Sequence, residues 1–264
     1  QKHILQLTTT GTADSISINS QVSAPNPSQP TPTQEPVAGI SSAEKREKTV
    51  EDSFPVLMMI LATRGWCERT RLAELLTAPE FELSADPNHY LIKGAFEKAN
   101  ALGLIEQIVP RNESGTGRPS NLVRLTESGR AYARTTLSIE PVPSELDRLL
   151  KLHDTLEHVA LILQTRKLFA DKYPEPIDSI DLFPKPIPVE GNKRSEPDLS
   201  VTLASGKMLL IECERNTPKN PAQRIDKWHK CWLAGHGEIY VVCPDADTVQ
   251  TIGGEIGLWR ARHG

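Results

Sequence analysis

Asp198, Glu212 and Glu214 are the residues whose types and spacing could do chemistry. Leu199 to Leu203 alternates apolar and polar residues, Ala204-Ser205-Gly206-Lys207 is a turn, and Met208 to Ile211 is a short apolar run. This pattern predicts two antiparallel strands. Asp198 then opens the first strand and Glu212 closes the second, which sets them side by side, and Glu214 follows Glu212 by one strand period on the same face. Unpaired carboxylates that close repel one another, and a hard divalent cation such as Mg²⁺, held by a few carboxylates and waters, relieves the repulsion. The plainer alternative is three solvated residues at strand ends, the fate of most Asp and Glu. Against it, Glu212 directly follows four apolar residues and Pro197 sits at a strand start, where Pro is tolerated.

The elements that must position these acids can be read around them. A long amphipathic helix is predicted over 149–170, with Leu152, Leu156, Val159, Ala160, Leu163 and Leu168 toward a core. On it His153 and Glu157 are four apart and share a face, and His153 reads as a partly buried structural histidine. Residues 182–189 form a proline-interrupted first strand. Residues 221–233 form a helix with Ile225, Trp228 and Trp232 buried and Arg224, Lys227 and Lys230 exposed. Residues 238–243 make a continuous apolar strand fit for the middle of a sheet, and 249–259 a last helix.

Upstream, residues 1–48 are rich in Ser, Thr, Gln, Pro and Gly, a composition that cannot bury enough apolar surface to offset chain entropy, so a disordered tail or linker is expected. Residues 52–137 read as three helices, a hairpin and a helix. Helices fall over 54–62, 70–76 and 89–102, strands over 105–109 and 121–125, and Thr126 is the N-cap of the last helix. Between the strands lies a polar, glycine-bearing tip, 111–119. A proline-containing link, 138–147, leads to the remainder, 148–264.

Pro197-Asp198, thirteen residues, then Glu212-Cys213-Glu214 resembles the PD-(D/E)xK nuclease superfamily, whose pattern is Pro-Asp, a hairpin, then acid-x-Lys. The order helix, three strands, helix, strand is that superfamily's core order. The resemblance implies that Asp198 and Glu212 hold Mg²⁺ and that Glu157, on the first helix, adds a third acid to the metal. Glu214 stands where Lys is usual, so Glu214 or Lys227, on the helix after the motif, would position the attacking water, with Lys219 the second choice.

Residues 52–137 resemble a winged-helix domain, most specifically at Leu125-Thr126-Glu127-Ser128-Gly129-Arg130. That resemblance implies a helix in the major groove and a wing on phosphate, with Lys93, Lys98, Arg111, Arg118, Arg124 and Arg130 as DNA contacts and Asn88 as a polar reader. The combination of winged helix, His153-Asp154-Thr155-Leu156, Glu196-Pro197-Asp198-Leu199 and Ile211-Glu212-Cys213-Glu214-Arg215-Asn216-Thr217 is similar to the replication-relaxation family of mobile-element proteins over 52–243, with Asn216 in place of the usual Gly. The fold expectation is therefore α+β or α/β, a winged helix followed by a restriction-endonuclease-like domain with a mixed sheet.

The net charge of −4 gives no global basic field, so any DNA contact must come from local patches. Over 51–137 ten Lys and Arg face eleven Asp and Glu, yet Arg111, Arg118, Arg124, Arg130 and Arg134 outnumber Glu113 and Glu127 at and after the wing. Over 193–234 eight basic residues face five acids. No apolar run nears the roughly 20 residues that span a bilayer, and no signal peptide opens the chain, so a cytoplasmic protein without membrane contact is expected. Gln1 in first place reads as a fragment or processed form. Cys67, Cys213, Cys231 and Cys243 show no Cys-x-x-Cys spacing and read as reduced, buried thiols. Three functions remain open: a Mg²⁺-dependent DNA endonuclease of a plasmid or mobile element, an inactive DNA-binding accessory factor or regulator, and a subunit active only with other mobilisation or transposition proteins, tethered through the tail.

Overall fold

The computed structural model describes residues 3–8, 16–19, 48–110, 121–215 and 221–263. The predicted wing tip with Arg111 and Arg118, and Asn216 and Lys219, lie outside the described residues. The chain is a mixed α/β fold, with eight α-helices and a mixed sheet among the described residues. Its first elements, β1 (His3–Thr8) and β2 (Ile16–Asn19), differ from the expectation of a structureless 1–48. Both segments are rich in Ile and Leu, unlike the Pro-rich stretch that follows them.

The next unit runs from α1 (Val50–Arg64) through α2 (Arg69–Leu76), α3 (Tyr90–Ala101), β3 (Ile105–Ile108) and β4 (Leu122–Leu125) to α4 (Glu127–Thr135). Asp52 starts α1 by accepting the Thr49 N–H at 2.8 Å, and Gly65 ends it in the left-handed conformation, φ 63°. Leu91, Ile92, Ala95, Phe96 and Ala99 form the buried side of α3; of these, Ile92, Ala95, Phe96 and Ala99 share a core with Phe54, Leu57, Met58 and Leu61 of α1. Thr126 caps α4 by accepting the Gly129 N–H at 3.0 Å. A Cβ at Gly129 would stand 1.9 Å from the Leu104 carbonyl oxygen, so only glycine fits there. The same carbonyl accepts the Thr126 N–H at 3.0 Å.

The expected link is docked against this unit. The Val142 N–H bonds the Ala62 carbonyl and the Glu145 N–H bonds the Gly65 carbonyl, both at 2.8 Å. Helix α5 (Glu145–His153) already begins within it, capped by Ser144. The predicted single helix over 149–170 is corrected to two, α5 and α6 (Leu156–Lys172). Asp154 leaves the helix with φ 56°, and Thr155 opens α6 by accepting the His158 N–H at 3.3 Å. The break wins over the continuous apolar period because Thr155 is a good N-cap and Asp tolerates the left-handed region.

The remaining elements follow: β5 (Ile177–Asp181), the separate short pair β6 (Ile187–Pro188) and β7 (Arg194–Ser195), the hairpin β8 (Leu199–Leu203) and β9 (Met208–Cys213), then α7 (Pro221–Ala234), β10 (Glu238–Cys243) and α8 (Ala246–His263). Of the proline-interrupted strand expected over 182–189 only the two-residue β6 forms, outside the main sheet, and the strand that joins the sheet lies earlier, at β5, because Pro184, Pro186 and Pro188 remove donors a longer ladder needs. Sheet order is β2-β1-β10-β9-β8-β5, with β10 parallel to β9 and every other pair antiparallel. Alternation divides β10 between two cores. Ile239, Val241 and Cys243 face Trp228, Ile252, Ile256 and Trp259 of α7 and α8, while Tyr240 and Val242 join Val159, Ile162 and Phe169 of α6. The sheet is therefore covered on both faces.

The first unit is fastened to this one. Cys67 and Leu122 belong to the α6 core, and buried Arg166 of α6 pairs with Glu68 and, at 2.9 Å, with Glu145. All four cysteines are buried and unbridged. No helix among the described residues is long and apolar enough to cross a membrane.

Candidate active site

The β8–β9 register pairs Leu199 with Ile211, so Asp198 and Glu212 fall opposite each other just beyond it. The Asp198 N–H donates to the Ile211 carbonyl at 3.1 Å, and the Cys213 N–H donates to Asp198 Oδ2 at 2.6 Å, which fixes the carboxylate across the hairpin. Ile211 and Cys213 point into the α6 core, so Glu212 and Glu214 project toward α7. The Glu214 N–H donates to the Val242 carbonyl at 2.9 Å, tying the end of this segment to β10. Asp198, Glu212 and Glu214 are 7, 3 and 2% exposed, which excludes the solvated strand-end alternative.

From α7, Lys227 Nζ lies 2.7 Å from Glu212 Oε2 and 2.5 Å from Glu214 Oε1. The Glu212 contact is an ion pair without hydrogen-bond alignment, and Oε2 is buried with no hydrogen-bond partner. Glu212 Oε1 accepts the Cys231 thiol at 3.2 Å. On the other side of Asp198, His153 Nδ1 lies 3.4 Å from Oδ1 and His158 Nε2 lies 3.2 Å from Oδ2.

Burial dominates the electrostatics. It pushes Glu212 up, the Asp198 charge adds to that, and Lys227 pulls against it. Burial alone would also raise Asp198, but the His158 contact, the Lys227 and His158 charges and the Cys213 N–H together hold it below the usual carboxylate range. Burial would lower Lys227, but Glu212, Asp198 and Glu214 hold it well above its ordinary value, so it stays an ammonium. Burial lowers His153, aided by His158 and Lys227 and opposed by Asp198.

Asp198, Glu212, Glu214 and Lys227 are thus brought together, as expected. Glu157 is not: the break after His153 takes it off the face it was expected to share with that residue, and it makes no hydrogen bond or ion pair to this cluster. His158 was missed, and His153 belongs to the site instead of only to the core. Of the expected DNA contacts, Arg124 bonds Glu106 at 2.7 Å and Asp147 at 2.5 Å. Arg130 is held by Glu127 and the Leu125 carbonyl, both at 3.0 Å, and Lys98 pairs with Glu51. Lys93 is exposed and lines, with Arg69, Thr70, Asn88 and Asn121, a groove of about 490 Å³ between α2, α3 and β4.

Lys227 is the ammonium set between Glu212 and Glu214 beside Asp198, and Glu212 Oε2 makes no aligned hydrogen bond. Asp198 and Glu212 offer carboxylate oxygens, the donor type that hard divalent cations take. No family model, curated protein or solved structure matches the chain.

Proposed function

We propose that this chain is a DNA-binding protein of a plasmid or mobile element whose second unit hydrolyses phosphodiester bonds with a divalent metal. The observation that carries the reading is Lys227, delivered by α7 to Glu212 and Glu214 beside Asp198, on a core ordered helix, three strands, helix, strand. This is the lysine of a PD-(D/E)xK site moved from the strand to the next helix, which answers the Glu at 214. The order α1, α2, α3, β3, β4, α4 supports a winged helix, and the replication-relaxation family joins two such units.

A divalent ion held by Asp198 and Glu212 would polarise the scissile phosphate and lower the pKa of a bound water. Lys227, kept protonated by three carboxylates, acts as a fixed positive donor for the water or the developing phosphoryl charge, not as a base. Glu214 holds that ammonium in place. The Cys213 N–H and the hairpin register hold Asp198, so little of the site must reorganise. DNA would reach it through phosphate contacts at the Lys93 groove, in a cytoplasmic setting; the basic residues of α7 do not serve, since Arg224, expected to be exposed, is buried against Glu255, and Lys230 pairs with Asp226.

A second reading has its own observation: Lys227 is engaged by both glutamates, the arrangement of a structural ion pair in a non-enzymatic accessory factor. Incubating the protein with supercoiled plasmid and Mg²⁺ or Mn²⁺, beside Asp198→Ala, separates the two. Nicking that disappears in the variant supports hydrolysis. Plasmid retarded but uncut, equally in both, supports the accessory factor.

A further inference from the structure

His153 and His158 are five residues apart, a spacing that an unbroken helix would turn about 140° away from one another. The left-handed Asp154 and the Thr155 cap instead bring both rings to one carboxylate, with ring centroids 4.9 Å apart. Their nitrogens stand 3.4 and 3.2 Å from the two Asp198 oxygens. Both distances fall in the roughly 3.0–3.6 Å that separates ligand atoms held about 2.0–2.2 Å from one ion. His158 Nε2, the atom nearest the carboxylate, is buried without an aligned hydrogen-bond partner, and the far nitrogen of His153, Nε2, is buried without one too. One nitrogen or oxygen from each of the three residues falls within a 4.8 Å group.

We propose that His153, His158 and Asp198 form a binding site for a borderline-soft divalent transition ion of the Zn²⁺ type. Imidazole nitrogen suits such ions, whereas Mg²⁺ prefers oxygen and keeps its waters. The Cys213 N–H at 2.6 Å orients the shared carboxylate, as an outer-shell donor does in metal sites. Arg215 donates to Thr155 Oγ1 at 3.2 Å and ties the helix break to the end of β9. Asp198 thus stands between an oxygen-rich half with Glu212 and a nitrogen-rich half with the histidines. The site follows from donor atoms alone and does not require the chain to cut DNA.

The test is calorimetric titration of the full chain with Zn²⁺, in the presence of millimolar Mg²⁺. One Zn²⁺ per chain is expected, weakened at least about 10–100-fold in both His153→Ala and His158→Ala, since losing even an outer-shell partner has that effect. Glu212→Gln, which removes no nitrogen donor, should cost less affinity than either histidine change, below about 10-fold. Absent binding overturns the proposal, as does binding that survives both histidine changes, which would mark adventitious Zn²⁺ elsewhere. Should the alanine variants unfold by circular dichroism, Co²⁺ on the unaltered chain decides, because a four-coordinate nitrogen-bearing site gives an intense band at longer wavelength than the weak band of hexa-aqua Co²⁺, and its absence overturns the proposal. Zn²⁺ held by the histidines in a chain that never nicks plasmid keeps this inference and refutes hydrolysis. Nicking that needs Asp198 without histidine-dependent Zn²⁺ does the reverse.

Discussion

Lys227→Met should destabilise the protein in a way a divalent ion can repair. The Glu212 and Glu214 side chains are 4 and 3% exposed and lie 2.7 and 2.5 Å from the ammonium, so water cannot take its place. Breaking a buried pair by removing one partner costs about 3–5 kcal/mol. Lys227 itself is 29% exposed, which softens the loss, and about 3 kcal/mol is expected. At roughly 2–4 °C per kcal/mol for a chain of this size, Tm falls by about 6–12 °C. An ion at a hundred times its Kd returns about 2.7 kcal/mol, so Mn²⁺ should restore most of the loss in Lys227→Met and raise Tm less in the unaltered chain. Melting followed by circular dichroism, with and without Mn²⁺, measures both. A variant that melts within about 2 °C of the unaltered chain, or gains no more from Mn²⁺ than it does, would refute the idea that Lys227 is the counter-ion of a metal-ready acidic cluster.

Two further expectations concern the scaffold. Arg166→Met leaves Glu68 and Glu145, 7 and 13% exposed, without their shared guanidinium, and should cost about 3–5 kcal/mol in urea unfolding. Adding Glu68→Gln should recover part of that, and a purely additive double variant would argue against the network. Gly129→Ala should cost about 3 kcal/mol or more, because its Cβ meets the Leu104 carbonyl oxygen at 1.9 Å, whereas Gly103→Ala, with nothing within 4 Å of the new Cβ, should cost only about 1 kcal/mol for its positive φ.

The acidic hairpin was legible because Leu199 to Ile211 carries a two-residue period, a glycine turn and acids at both ends, local signals that tertiary context had no reason to override. The helix order of 50–135 was legible for the same reason, and the Ser128-Gly129-Arg130 turn has a steric cause that a sequence shows only as a glycine. The His153–His158 pair was not legible. The apolar residues run at helical period straight through Asp154 and Thr155, so the pattern hid a break made by two polar residues with strong turn and cap preferences. Thr155 followed three residues later by His158 was the available signal. Arg124 misled differently: a basic residue on a strand looks free in sequence, and only the docking of α5 shows Asp147 waiting for it.

The most direct test of the account is the rate of strand nicking on a supercoiled plasmid, for the unaltered chain, Asp198→Ala and Lys227→Met, at fixed Mn²⁺. The account predicts nicking by the unaltered chain, none with Asp198→Ala, and a loss of about 100-fold with Lys227→Met, the cost of one preorganised charge donor. Equal rates in all three, or no nicking by a chain that still retards the plasmid, would contradict it.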